Sequence, residues 1–402
     1  MANTLNVDQF ASSQTTAMAS THNINTSRVV VDMAPEINRL VKDEVAFYKV
    51  LNTLNKESCH STKVEWLEKR PRDWSDAVAD TTVASGATSF GVSDGTIFAA
   101  NDIVLNRRTL ERVLVTGVST NTLTVTRSVG ATAAAGMVSG DVLDVIGSAF
   151  KQGATLGSIR SPKTDNQYNY TQIFREAFGV TGTMQNVQLY GGSAQAEKRR
   201  DHLYEMLAQI ERALYWGERS IDASDTDQPR TTLGGLMEFV TTCVKDVGAT
   251  LTKGTMLEFL DEIFMYGSDV KVCFGAAVIR RALHTWNIGD LQTDVDKTKA
   301  WGSQVGRLVY GDKTLYLMHS KVLDQTTTDT TNNYSWGGWG FILDLANVKL
   351  RVLGDRDIKL ISDREAAGTD GTHEEYLCEI SLHVENEETH GILKDIRGVS
   401  DS

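Results

Sequence analysis

Between Thr81 and Gly147 the chain changes character. Thr, Val, Ser, Gly and Ala dominate, and the short strand-like pieces TSFGV, ERVLVTGV, NTLTVTR and GDVLDVIG are separated by the turn signals SDG, STN and VSG. This pattern predicts a small all-β module, a barrel or sandwich, inserted at about 81–150. Its clearest hairpin joins Val113–Val118 to Leu123–Arg127 across Ser119, Thr120 and Asn121. The sequence on either side is patterned differently, so the chain cannot be one uniform architecture.

Upstream, residues 1 to about 26 are rich in Asn, Thr, Ser, Ala and Gln, too polar to nucleate a core, and read as an arm. From Val29 to Leu54 the residues Ile37, Leu40, Val41, Phe47, Val50, Leu51 and Leu54 recur at helical intervals after Pro35, predicting an amphipathic helix. Residues 63–80 begin as a strand around Val64 and Trp66 and run into an extended excursion at Pro71. The excursion returns through YNYTQIFREAFGVTGT, an extended segment carrying Tyr168, Tyr170, Ile173 and Phe178.

The strongest helix pattern follows. Ser193 is placed to cap a helix running to about Trp216, with Leu203, Leu207, Ile210 and Leu214 on one stripe and Glu197, Lys198, Arg199, Asp201, Glu205 and Glu211 assigned to the opposite face. Thr255 and Glu258 form a capping box for another helix to about Tyr266. The strand VKVCF, a helix from Ala276, the strands RLVYGD and KTLYLMH, the polar turn DQTTTDTTNN and the strand GFILDL complete an α/β layer and a strand-rich final third. Near the end Tyr376, Cys378, Ile380, Leu382 and Val384 alternate with Glu375, Glu379, Ser381, His383 and Glu385, predicting a long half-exposed strand.

Composition narrows the function classes. The 402 residues carry 40 Lys+Arg against 52 Asp+Glu, a net charge of −12, which disfavours a protein whose main task is neutralising phosphates. There are only four prolines, and the four cysteines form no C-x-x-C pair, so neither a zinc ribbon nor a disulfide framework is indicated. No apolar run approaches a membrane span and the first residues lack a leader pattern, so a membrane is not an expected partner.

Motifs with catalytic or ligand potential are few. Gly91-Val92-Ser93-Asp94-Gly95 matches the G-x-S-x-G elbow of hydrolases, but it is followed by strand-like TIFAANDIV rather than a helix, so a Ser-Asp-Gly turn is the favoured reading. His373, Cys378 and His383 are five apart on a strand and alternate between faces, which opposes a shared zinc site. Cys59 beside His60 reads as a structural thiol, and Gly337, Gly338 and Gly340 lack the helix a nucleotide loop requires. No catalytic residue, cofactor or metal is assigned. Candidate subunit-interface residues are Lys69, Arg70, Arg72 and Trp74 on the excursion, with Arg199 and Arg200 at the start of the long helix, although a solvated face beside Glu197 and Asp201 is the simpler reading for the last two.

The segments NYTQIFREAFGVTGT, ERALYWGERS, PRTTLGGL, FGAAVIRRAL, FILDLANVKLRVL and EYLCEISLHVENEETHGI, taken in order, resemble the major capsid proteins of tailed double-stranded DNA bacteriophages. The likeness is to the Hong Kong 97-type fold, in the subset with a β domain in the extended loop, and it covers most of residues 30–396. It implies an α+β chain with an N-terminal arm and helix at 1–54 and an extended loop at 55–180. It further implies a peripheral domain at 181–235 and 346–396 with a spine helix at 193–216, an axial domain at 236–345 and a tail at 397–402. Also implied are a non-enzymatic subunit forming hexamers and pentamers around DNA held by weak contacts, a separate scaffolding protein, a portal, an optional decoration protein, and a place in the virion after assembly in the host cytoplasm. The rivals are an encapsulin-like nanocompartment shell, a serine hydrolase using Ser93, and a β-rich adhesion or tail protein, the last disfavoured by the long amphipathic helix and the α/β middle.

Overall fold

The structure is a computed structural model that describes residues 45–70, 72–154, 164–189, 192–222, 224, 227–248, 250–286, 306–324 and 338–400. The expected arm, the helix before Val45 and most of the DQTTTDTTNN turn lie outside these residues. The chain is α+β and divides into two compact units, one drawn from residues up to 64 and from 169 onward, the other spanning 65–168.

The first unit is built around two large sheets. One has the strand order Lys56–Cys59, Val348–Leu353, Gly371–Val384, Gln172–Thr181, with Lys359–Ile361 also pairing to the long strand. Gly371–Val384 runs antiparallel to Gln172–Thr181 over ten paired positions, Gln172 opposite Ile380 and Thr181 opposite Gly371. Across this sheet lies the 23-residue helix Ala194–Trp216. Met206, Ile210, Leu214 and Tyr215 of the helix are fully buried with Phe174, Phe178, Leu350, Ile380 and Leu382, while Leu203 and Leu207 are partly buried. The aromatic rings continue the core: Phe47 stacks on Tyr215 at 5.2 Å between centroids, and Tyr215 on Phe341 at 4.7 Å.

The second sheet has the order Val244–Asp246, Gly391–Lys394, Gly340–Leu343, Val270–Gly275, Lys313–His319, Gly306–Tyr310. Helices Lys253–Ile263 and Ala277–Thr285 bury Met256, Phe259, Leu260, Ile263, Ile279 and Ala282 against Cys273, Leu315, Ile342 and Leu393. The strand Gly391–Lys394, expected with 346–396, therefore belongs to the sheet of 236–345. Its run Gly-Ile-Leu is buried on both sides, and it satisfies its backbone between Val244–Asp246 and Gly340–Leu343.

The unit 65–168 is built on a six-stranded sheet ordered Ser75–Ala77, Val142–Ser148, Asp102–Asn106, Arg112–Ser119, Thr122–Thr126, Ser89–Gly91. The bridge Val78 to Val92 joins its two outer strands, so the sheet closes on itself as a small barrel filled by Val78, Phe90, Val104, Val115, Leu123, Met137 and Leu143. The expected hairpin is present; Ser119 pairs with Thr122, and Thr120 takes φ +50° in the two-residue turn. Lys63–Glu68 and Asp165–Tyr170 pair as the two strands through which the chain enters and leaves.

Several local expectations shift. The barrel begins at Ser75, ahead of 81, because Ser75–Ala77 pairs with Val142–Asp144. Residues 56–59 and 172–180, expected within the extended loop, lie in strands of the first unit. Ser193 stands at the helix N-terminus without a side-chain cap bond, and Thr252 rather than Thr255 caps the helix at 253, its Oγ1 accepting from the Thr255 amide. The long strand is covered on both faces instead of half-exposed, since Glu375, Glu379, Ser381 and His383 are buried beneath neighbouring side chains.

Candidate functional site

The outer face of the first sheet is a mosaic of carboxylates held under cations. On Gly371–Val384 the odd-numbered positions leave the core, and each acidic one meets an arginine. Glu375 pairs with Arg175 at 2.5 Å and Arg364 at 3.0 Å, and Glu379 with Arg356 at 2.9 Å while accepting from the Thr171 hydroxyl. His383 accepts at Nδ1 from Arg351, whose guanidinium also meets Glu57 at 2.5 Å. Burial and the cations Arg351 and Lys349 push His383 down to about 4, so it is a neutral acceptor near neutral pH. Arg175, Arg356 and Arg364 keep much of their surface in solvent, which leaves outward donors on a rigid base.

The candidate residues near the long helix separate. Arg199 does not pair with the flanking acids of its own helix; it forms a two-pronged bond to Glu374, Nε to Oε2 at 2.6 Å and Nη2 to Oε1 at 2.5 Å. The Arg199 guanidinium holds the Glu374 carboxyl below its ordinary range. Arg199 is thus an internal tie between helix and strand. Arg200 is exposed, as is Lys198.

In the barrel unit Lys69 and Arg70 are exposed, and Arg72 is committed inward, donating to the Ile97 carbonyl at 2.6 Å and lying 3.6 Å from buried Asp102. Its guanidinium also covers the Trp74 ring at 4.7 Å, while Trp74 itself is 57 % exposed. Leu67 is 72 % exposed, and Leu110, Ile146 and Phe150 are each more than half exposed on the same unit. These large apolar side chains stand on the surface of a unit that already has a filled core of its own.

Ser93 follows the short strand Ser89–Gly91 and precedes a single 3-10 turn, Gly95–Ile97, capped by the Asp94 carboxylate. Its Oγ reaches the Ala77 carbonyl at 3.4 Å. The stretch 65–168 contains no histidine. Cys378 faces the core and His383 the opposite face, as their spacing requires, and burial pushes the Cys59 thiol up.

Glu211 is the residue that the helix pattern misassigned. It is fully buried, Oε1 accepting from the Ser320 hydroxyl at 2.8 Å and Oε2 from the Tyr48 amide at 3.4 Å. Tyr48 lies in the first turn of helix Ala46–Leu54, whose N-cap Val45 offers no side-chain oxygen, so Glu211 supplies the missing acceptor from another helix. Burial pushes Glu211 up to about 7. The signal was available: Glu211 stands four residues after Leu207 and four before Tyr215, on the buried stripe.

Asn169 was also missed. Buried where the chain returns to the first unit, it donates to the carbonyls of Gly234 and Leu382 and accepts from the Gly234 amide. Gly235 beside it approaches the helix end so closely that a Cβ would stand 2.7 Å from both the Ala213 carbonyl and the Gly217 amide.

Among characterised proteins, the major capsid protein of Pseudomonas phage PaMx41 is 31 % identical over 166 residues, 41 % of this chain, and the match spans only 38 % of that protein's length. Among solved structures, the capsid of a native GTA particle aligns over 94 % of this chain and all of that one at 8 % identity and TM-score 0.49. The SrpI encapsulin of Synechococcus elongatus PCC 7942 aligns over 58 % of this chain and 78 % of that one at 10 % identity and TM-score 0.41. The profile of the SU10 major capsid protein family matches residues 11–397. A barrel unit between paired strands, a long helix on a long-stranded sheet, and a second sheet that takes in Gly391–Lys394 are thus the architecture of a chain that belongs to the SU10 major capsid protein family.

Proposed function

We propose that the chain assembles with copies of itself, as hexamers and pentamers, into the icosahedral head that encloses phage double-stranded DNA, in a Hong Kong 97-type arrangement. In this reading the helix Ala194–Trp216 and its sheet form the peripheral domain, the sheet from 244 to 343 with Gly391–Lys394 forms the axial domain, and residues 65–168 form the extended loop with its inserted barrel. The observation that carries the reading, beside family membership, is a barrel unit with a complete core that keeps Leu67, Trp74, Ile146 and Phe150 on its surface. Many modest contacts of this kind become collectively persistent when every subunit is held at several points.

The role is structural rather than catalytic, with the Ser93 hydroxyl donating to the carbonyl of Ala77 on a strand of the barrel. The net charge of −12 suits a container that holds DNA without neutralising it. A scaffolding protein, a portal and a decoration protein are the partners of such a shell, and the host cytoplasm is where it is built. Expression with the neighbouring phage structural genes, followed by electron microscopy, is expected to give closed particles. Small soluble species alone overturn the proposal, and particles packed with an enzyme instead of DNA point to a nanocompartment.

A further inference from the structure

Glu176, on the strand Gln172–Thr181, and His202 and Glu205, three residues apart on the long helix, bring three ligand atoms within 4.8 Å of one another. His202 Nδ1 is 3.0 Å from Glu176 Oε1 and 3.4 Å from Glu205 Oε2. A tetrahedral ion with bonds of about 2.0–2.1 Å separates its ligand atoms by about 3.3 Å, so these two spacings are those of a coordination shell as well as of an ion pair.

Two features of the surroundings favour the shell. A ring nitrogen carries at most one hydrogen and can donate it fully to only one carboxylate, and Glu205 Oε2 lies 3.4 Å from the Nδ1 that already meets Glu176 Oε1 at 3.0 Å. The ring is also held in place: Phe178 stacks on His202 at 5.1 Å with 6° between planes, and Gln209 Nε2 donates to the outer oxygen of Glu176 at 3.2 Å. A hydrogen-bonded carboxylate is an outer support that metal ligands use, and the stack fixes the plane of the imidazole.

We propose that Glu176, His202 and Glu205 bind one divalent transition-metal ion of the zinc class, clipping the long helix to the adjoining strand. One imidazole and two carboxylates leave a fourth position for water, and Glu205, 62 % exposed, faces the solvent from which the ion enters. The imidazole selects against Mg²⁺, which takes oxygen ligands. The site is independent of the assembly reading, because all three residues belong to one chain.

The test is calorimetric titration of the full-length soluble chain, stripped with chelator, with Zn²⁺ alone. One ion per chain is expected, undisturbed by millimolar Mg²⁺, with affinity lowered at least tenfold in Glu205→Gln and lost in His202→Gln. Co²⁺ in place of Zn²⁺ is expected to give a visible absorption band that Glu205→Gln alters. Glu205→Gln leaves the Phe178 stack and the Glu176 contact in place, so metal-free variant and parent should melt together, separating loss of ligand from loss of fold. Absence of saturable Zn²⁺ binding overturns the proposal, as does binding that is unchanged in both variants.

Discussion

Arg199 grips both carboxylate oxygens of Glu374 and so ties the early turns of the long helix to the strand at the centre of its sheet. Gln195 and Ser362 add donors to the same carboxylate. Arg199→Ala is expected to lower the thermal midpoint at neutral pH, and Arg199→Lys to restore only part of the loss, because an ammonium cannot form the two-pronged bond. Since the Glu374 carboxyl is held below its ordinary range in the folded chain, its contribution is present above the unfolded value and disappears as pH falls through the folded one. The difference between parent and Arg199→Ala should therefore shrink in acid, as measured by melting at a series of pH values.

Within the barrel, Glu111 is buried and accepts from Arg127 through both oxygens and from the amides of Ser128 and Ala135. Arg127 is itself nearly buried. Glu111→Ala leaves that guanidinium only the Ala84 and Ala135 carbonyls and strands two amides, and a cost of about 3–5 kcal/mol is expected. Hydrogen exchange should show protection lost across Arg112–Thr126 and kept in the helix Ala194–Trp216.

Glu211 gives a pH signature of the opposite sign to Glu374. Because burial raises it to about 7, the folded chain binds a proton that the unfolded chain releases between the ordinary glutamate value and about 7, so this residue favours folding increasingly as pH falls through that window. His390, pushed down to about 4 while accepting from the Asp344 amide, acts oppositely and loses stability as pH falls below the ordinary histidine value. Parent and Glu211→Gln share the His390 effect. Their difference isolates Glu211, and Glu211→Gln should gain relative stability at pH 8 and lose that advantage by pH 5.

Trp74→Ala removes an exposed ring whose contact with Arg72 is worth about 0.5–1 kcal/mol, so melting should change little. If this surface joins subunits, the same variant should sharply reduce the yield of closed particles seen by electron microscopy. Normal particle yield would remove Trp74 from the interface.

The parts of this fold that periodicity could reach are those where burial follows the helix or strand repeat. Ile210 and Leu214, the Thr120-Asn121 hairpin and the inward row Cys378, Ile380 and Leu382 are of this kind. What pattern could not reach is set by partners distant in sequence. Glu375 and Glu379 read as solvent residues because polar side chains usually are, yet arginines from three other segments cover them. The strand Gly391–Lys394 looks like a continuation of its predecessor, and only the gap between Val244–Asp246 and Gly340–Leu343 reveals its sheet. The Glu176–His202–Glu205 cluster depends on the crossing of helix over strand, which no spacing within either element encodes.

Because Lys63–Glu68 and Asp165–Tyr170 run side by side, the parent fold perceives everything between them as a single closed loop with neighbouring ends. Such a junction is a socket: a different domain with adjacent termini could be grafted there while the register of the surrounding strands stays as it is. The inserted unit can accordingly diverge faster than the scaffold that bears it.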